Sequence, residues 1–199
     1  MKKSDEAEAK DLFLRYEGSR FYMSRDGVEE SYKDFNVPAE LEAEWLDELT
    51  QRRLQALDAP GNWKVLQFLT HHGETRYLGA VLAVGPQGDF KEKCSYVEQL
   101  IKLLKVSDIY RDLSIIEPQE HLSVSDQEKA LEVAGQWAME LQAQAQDAET
   151  RQRVERMMEE IQTLRAELAR SGALHPTEPG WFSGLAISIG RWLGLVRRK

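Results

Sequence analysis

The chain is 199 residues long, carries a net charge of −8 and has one cysteine, Cys94. That length allows one domain with extensions or two small ones. The acidic balance argues against broad binding to a phosphate backbone, and the lone cysteine excludes an intramolecular disulfide and favours a reducing compartment. The opening M-K-K-S-D-E-A-E-A-K-D has no apolar core of the kind a secretory signal needs, so the expected location is cytoplasmic.

Residues 5–17 read as a short helix with acids in its first turn, as the helix dipole prefers, and Gly18 as its stop. Ser19 to Phe35 reads as short helices around a turn at Gly27, with a hairpin at Asp26-Gly27 as the competing reading. The aromatics Phe13, Tyr16, Phe21, Tyr22, Tyr32 and Phe35 concentrate here and are expected to form a small core. Asn36-Val37-Pro38 starts a helix running to about Leu57, with Leu41, Trp45, Leu49 and Leu54 inward. Its acids at positions 40, 42, 44, 47 and 48 form a solvated face, with no His or Cys beside them at ligand spacing.

After the turn Asp58-Ala59-Pro60-Gly61, Asn62 is expected to cap a helix ending at His72-Gly73. The run Tyr77–Val84 is too short for periodicity to separate strand from helix; its helical neighbours favour helix. Gly85-Pro86-Gln87-Gly88 breaks the chain, and Asp89 with Glu92 has capping-box spacing for a helix to about Val106. No period of helical-repeat length recurs, so no repeat family is indicated.

Residues 107–124 read as a connector, and Ser125 with Glu128 as a second capping box. Beyond it lies a long helical region with two apolar seams. The first is Leu131, Ala134, Ala138, Leu141, Ala145 and Ala148, with Trp137 beside it; the second is Val154, Met157, Ile161, Leu164 and Leu168. The first seam would continue at 152, 155 and 159, which are Gln152, Glu155 and Glu159. The seams are therefore out of phase. Either a single helix engages two partners, or the chain breaks near Asp147–Thr150 into a hairpin. The second seam is the candidate oligomerisation surface. Gly172, Pro176 and Pro179 then make a linker.

The last nineteen residues, Trp181–Lys199, differ from everything before them. Residues 1–125 hold 16 basic and 23 acidic side chains, residues 126–180 hold 6 and 11, and the tail holds 4 and none. At about 100° per residue, Trp181, Phe182, Leu185, Ile189, Trp192, Leu193 and Val196 share one face, with Arg191, Arg197 and Arg198 opposite. Aromatics on one side and arginines on the other are the composition of a helix lying in a membrane interface. Trp181–Val196 is 16 residues, short of the about 20 that a span needs, and Arg191 interrupts it. The same stripe also suits docking on a partner protein, on a second copy, or on the chain's own core. Three glycines, Gly184, Gly190 and Gly194, each about 1 kcal/mol worse than alanine in a helix, leave the tail weakly helical until it meets its surface.

Few residues of the chain point to chemistry. His71-His72 are adjacent, so they do not share a helix face as the histidines of a zinc motif do. Cys94 falls near a helix start, where a thiolate gains some stabilisation. His121 and His175 have no partner nearby in sequence. No phosphate-binding loop, dinucleotide fingerprint or nucleophile elbow occurs.

The reading is therefore all-α: a helical domain over residues 1–112, a connector 113–124, a coiled-coil-like stalk or hairpin 125–171, a linker 172–180 and an amphipathic tail 181–199. The expected function is a non-enzymatic interaction or adaptor protein held peripherally at the inner face of a membrane. No catalytic, cofactor or metal residues are assigned. The expected partners are an anionic membrane surface or a protein, including a second copy; nucleic acid is not expected and no small-molecule substrate is identifiable. The competing readings are a soluble interaction module whose tail docks on a partner, and an enzyme with an unrecognised site in the helical domain.

Overall fold

The computed structural model describes the backbone of residues 3–109 and 122–172, and side chains over 4–105 and 122–170. The described residues are helical, with no strand among them. They fall into two units divided after Ala56.

The first unit holds α1 (Lys3–Arg15), α2 (Arg20–Arg25), α3 (Glu29–Lys33) and α4 (Ala39–Leu54). Helix α1 ends where Glu17 and Gly18 turn left-handed and the Gly18 N–H reaches back to the Phe13 carbonyl at 2.9 Å. The turn at Gly27, φ 73°, separates α2 from α3, so the helical reading of this stretch holds and the hairpin does not. Asn36 ends α3 at φ 49°, a conformation Asn tolerates better than most residues. Phe13, Met23, Tyr32, Trp45, Leu49 and Leu54 are buried, and Phe13 meets Trp45 edge-on at 5.6 Å between ring centroids.

The aromatic core is smaller than expected. Phe13 and Tyr32 are buried, Tyr16 and Phe35 half-buried, but Phe21 and Tyr22 are exposed. The reason is the shortness of α2: six residues turn one side chain, Met23, fully inward and leave its neighbours outside.

The second unit holds α5 (Trp63–His72), a 3-10 turn (Thr75–Tyr77), α6 (Leu78–Val84), α7 (Phe90–Ile109), α8 (Val124–Gln144) and α9 (Ala148–Gly172). Helix α7 packs against α5, α8 and α9, and its Cys94, Tyr96, Val97, Leu100, Ile101, Leu103 and Leu104 are all buried. The box at its start forms as expected: the Asp89 N–H donates to Glu92 Oε2 at 3.1 Å and the Glu92 N–H to Asp89 Oδ1 at 2.9 Å.

Two expected caps are corrected. Asn62 sits before α5 but makes no side-chain cap. Its Nδ2 instead donates to the carbonyls of Leu57 (2.8 Å) and Gly85 (2.9 Å), and its Oδ1 accepts from the Gln87 N–H (3.4 Å). Fully buried, it ties three separate stretches of chain together. At α8 the cap is Ser123, whose Oγ accepts from the Asp126 N–H at 3.1 Å; Ser125 lies inside the helix. Two overlapping Ser-x-x-acid signals stand there, and the earlier one is used.

The out-of-phase seams mark a real break. Helix α8 stops at Gln144, and α9 starts at Ala148 behind Asp147, whose Oδ1 accepts from the Thr150 N–H at 2.8 Å. The two helices pack together as a hairpin, and both also contact α7.

Candidate functional site

The ten tail residues assigned to a membrane or partner contact lie outside the described residues: Trp181, Phe182, Leu185, Ile189, Arg191, Trp192, Leu193, Val196, Arg197 and Arg198. His121 and His175 lie outside them too.

The second seam is described. Val154, Met157 and Ile161 are buried, while Leu164 and Leu168 are half-exposed. The covering is provided within one chain. The facing side of α8 is built from small residues, Ala130, Ala134 and Ala138, all buried, between Leu131 and Leu141. Small side chains let helices approach closely, and the larger residues of α9 fill the space between them. Arg165 crosses the same interface beside Gly135 and donates to the Leu131 carbonyl at 3.2 Å. Arg153 closes the α7–α9 side: its guanidinium donates twice to Glu98, both at 2.7 Å, and once to Ser95 Oγ at 3.1 Å.

The histidine pair separates by environment. His71 is exposed; His72 is half-buried, its ring 4.6 Å from that of Phe68, and its Nε2 is buried without a hydrogen-bond partner. Burial, with His71 adding a smaller repulsion, holds the imidazole of His72 down at a pKa of about 4. At neutral pH it is an uncharged packing group. Cys94 is also decided by burial, which raises its thiol despite the nearby Arg153, so the thiolate stabilisation expected from a helix start does not govern. The acids of α4 are not uniformly solvated. Glu42 is half-buried and accepts from the Tyr32 hydroxyl at 2.8 Å and from Arg20 at 2.5 Å, while the Arg20 guanidinium also lies 4.3 Å above the Tyr32 ring. Among the described residues no group of acids, histidines or cysteines has metal-site geometry, and no helix is long and apolar enough to cross a membrane.

One shallow hollow of about 280 Å³ is lined by Leu82, Gly85, Pro86 and Trp137, with Lys93 and Glu140 among its polar residues. Gly85, at φ 72°, lets the backbone lie close against the Trp137 ring: a Cβ there would stand 3.0 Å from it. Trp137 is fixed from its other side by Tyr96, edge-on at 5.8 Å. The hollow is half open, with Lys93, Glu140 and Gln144 beside its apolar lining.

The exposed apolar side chains are few. Among the described residues, Phe21, Tyr22 and Met139 are the large hydrophobics that remain exposed. Comparison with family models, with curated proteins and with solved structures finds no match to this chain.

Proposed function

We propose that the chain is a non-enzymatic, peripheral-membrane interaction protein, with the 181–199 tail as an in-plane anchor and the helical units as the part that meets a protein partner. The observation that carries this reading is a mismatch between tail and body. The tail brings seven large apolar side chains in one helical stripe and four cations, with no acid. Among the described residues of the body, acidic overall, three large hydrophobics are exposed: Phe21 and Tyr22 in the first unit and Met139 in the second. A lipid interface supplies such a tail with both an apolar layer and, where anionic, a counter-charge.

The magnitudes are adequate. Each large apolar side chain contributes roughly 1.5–3 kcal/mol gross when fully buried, and each cation near anionic lipid adds about 1 kcal/mol. Even heavily discounted for partial burial and for ordering a glycine-rich helix, seven of the first and four of the second hold the chain to a membrane. The in-plane arrangement leaves Arg191 in water; a spanning one costs about 2.5–3.5 kcal/mol for it.

The test is co-sedimentation of the full chain and of residues 1–178 with phosphatidylcholine vesicles, with and without phosphatidylserine. The full chain is expected to pellet with the anionic vesicles and the truncated chain to bind far less. A full chain that stays in solution overturns the reading. If the truncation then changes the oligomeric mass, the tail is a protein-docking helix instead.

A further inference from the structure

We infer that the hollow beside Trp137 is a seat for the chain's own tail, taking the indole of Trp192 when no membrane is present. Only its last step, competition between hollow and lipid for the tail, rests on the membrane reading above.

The hollow suits one large side chain. At about 280 Å³ it falls just below the roughly 300–1,000 Å³ usual for small-molecule sites, and Leu82, Val84, Pro86 and the Trp137 ring supply its apolar lining. That ring is held in place: Tyr96 meets it edge-on at 5.8 Å, and the Gly85 backbone lies against it. Lys93 and Glu140 bring one cation and one acid to the lining, so net charge does not choose the occupant.

Covalent connection does choose it. The bond from Arg165 to the Leu131 carbonyl sets the register of the hairpin, and in that register Trp137–Leu141 stand level with Met157 of α9. The rest of α9, residues 157–172, is about 22 Å long at the helical rise. With one helix width added sideways, the hollow lies about 25 Å from the point where the tail leaves α9. Trp181, nine residues beyond Gly172, spans at most about 30 Å and reaches the hollow only when nearly extended. Trp192, twenty residues beyond, reaches it readily: a flexible chain of that length has a root-mean-square span of about 25 Å. A tether whose span matches the distance presents its end at an effective concentration on the order of millimolar. A single ring that binds with a millimolar constant is then about half seated. The 110–121 stretch is a poorer occupant. It is tied to α7 and α8 at the end of the bundle where Lys105 meets Glu160, and half its length spans only about 20 Å. Trp192 belongs to a stripe of seven large apolar side chains that gain by leaving water, so a seat within reach is used when lipid is absent. Lipid then competes with the hollow for the same ring.

The experiment compares amide and indole N–H spectra, by heteronuclear NMR without lipid, of the full chain, residues 1–178, and the full-length variants Trp192→Ala and Trp181→Ala. Signals of residues 82–86 and 137–144 and of the Trp137 indole are expected to differ between the full chain and residues 1–178. Trp192→Ala should match the truncated chain there and Trp181→Ala the full chain, at every protein concentration. Coincident signals in the full and truncated chains overturn the docking, whatever the vesicles show. Differences that grow with protein concentration overturn it too, since the occupant is then the tail of a second copy. The last step is read separately, on vesicles containing phosphatidylserine. Ala83→Trp crowds the hollow from an exposed position of its lining, and is expected to raise vesicle partition about twofold, the gain from removing a half-populated competing state. Partition unchanged by Ala83→Trp overturns the competition. If the full chain shows the docking signals and binds no vesicles, the seat in the hollow is upheld and the membrane reading fails.

Discussion

The two helical units solve the same problem with different materials. The first is made of three short helices and one longer one, and its core is an aromatic cluster. Its charged pairs sit at the rim: Lys10 with Glu48, Arg53 with Glu17, Arg20 with Glu42. The second is made mostly of long helices around α7, and beside an exposed pair, Lys105 with Glu160, it has buried or half-buried polar links: Asn62, the Tyr96 hydroxyl donating to the Val81 carbonyl at 2.8 Å, and Arg153 held by Glu98. The difference is instructive because a polar link is valued by its surroundings. A pair at the rim exchanges one set of water-screened contacts for another and is worth little. A buried group has no water to fall back on, so losing its partner exposes the full desolvation cost. The second unit should therefore be the one that single polar substitutions break.

Asn62→Ala is the sharpest form of that expectation. It removes two hydrogen bonds to carbonyls and one from a backbone N–H at a fully buried site. The expected cost is about 2–4 kcal/mol. Hydrogen exchange should show α5, α6 and the start of α7 losing protection together, because Leu57, Gly85 and Gln87 are released at once. A loss confined to the turn before α5 would mean that Asn62 is a local cap after all.

Acid should act on the same unit through His72. Its pKa in the fold is about 4 against an ordinary 6.5, so the folded state favours the neutral ring. The contribution is fully present above pH 6.5. It is lost as pH falls from 6.5 towards 4, where the unfolded chain binds a proton that the folded chain refuses, and changes no further below that. Over that window the loss is about 2–3 kcal/mol. His72→Leu keeps the contact with Phe68 and removes the titration. Urea midpoints measured across the window should fall less steeply for the variant than for the parent; parallel curves would show that carboxylates alone set the acid response.

Much of this architecture was readable from sequence, and the reason is locality. Gly27, Gly73 and the Asp89–Glu92 box act within a few residues, so their signals survive without knowledge of the fold. The phase slip between the α8 and α9 seams is also local, and it left a break near Asp147–Thr150 as one of two readings. What escaped needed tertiary knowledge. Asn62 carries the sequence signature of a cap, and only the approach of Gly85 and Gln87 makes it a link. Phe21 and Tyr22 look like core by composition, and the length of α2 decides that they are not. The seam of Val154, Met157 and Ile161 shows the same limit: spacing says that a face is buried but cannot say against what, and here α7 and α8 of the same chain supply the cover. The tail was legible only as chemistry, an apolar aromatic stripe with four cations.

The first unit offers the complementary test. Tyr32 is buried there, donating to Glu42 at 2.8 Å, and burial together with that carboxylate raises its hydroxyl well above the ordinary tyrosine range. The proton therefore stays on the oxygen at neutral pH, and the hydroxyl acts as a donor to Glu42. Tyr32→Phe removes the donor but keeps the ring under Arg20 and against Phe13 at 6.3 Å. Glu42 keeps Arg20 and gains access to water, so it is not stranded. The expected cost is about 1 kcal/mol, well below that of Asn62→Ala, read as a modest loss of exchange protection in α3 and α4. Glu48→Gln, which breaks the exposed pairs with Lys10 and Arg52, should change protection less again. The ordering of the three substitutions is what distinguishes the units. If Glu48→Gln matched Asn62→Ala, rim charge rather than buried polar linkage would be holding this protein together, and raising the salt concentration should then unfold its first unit before its second.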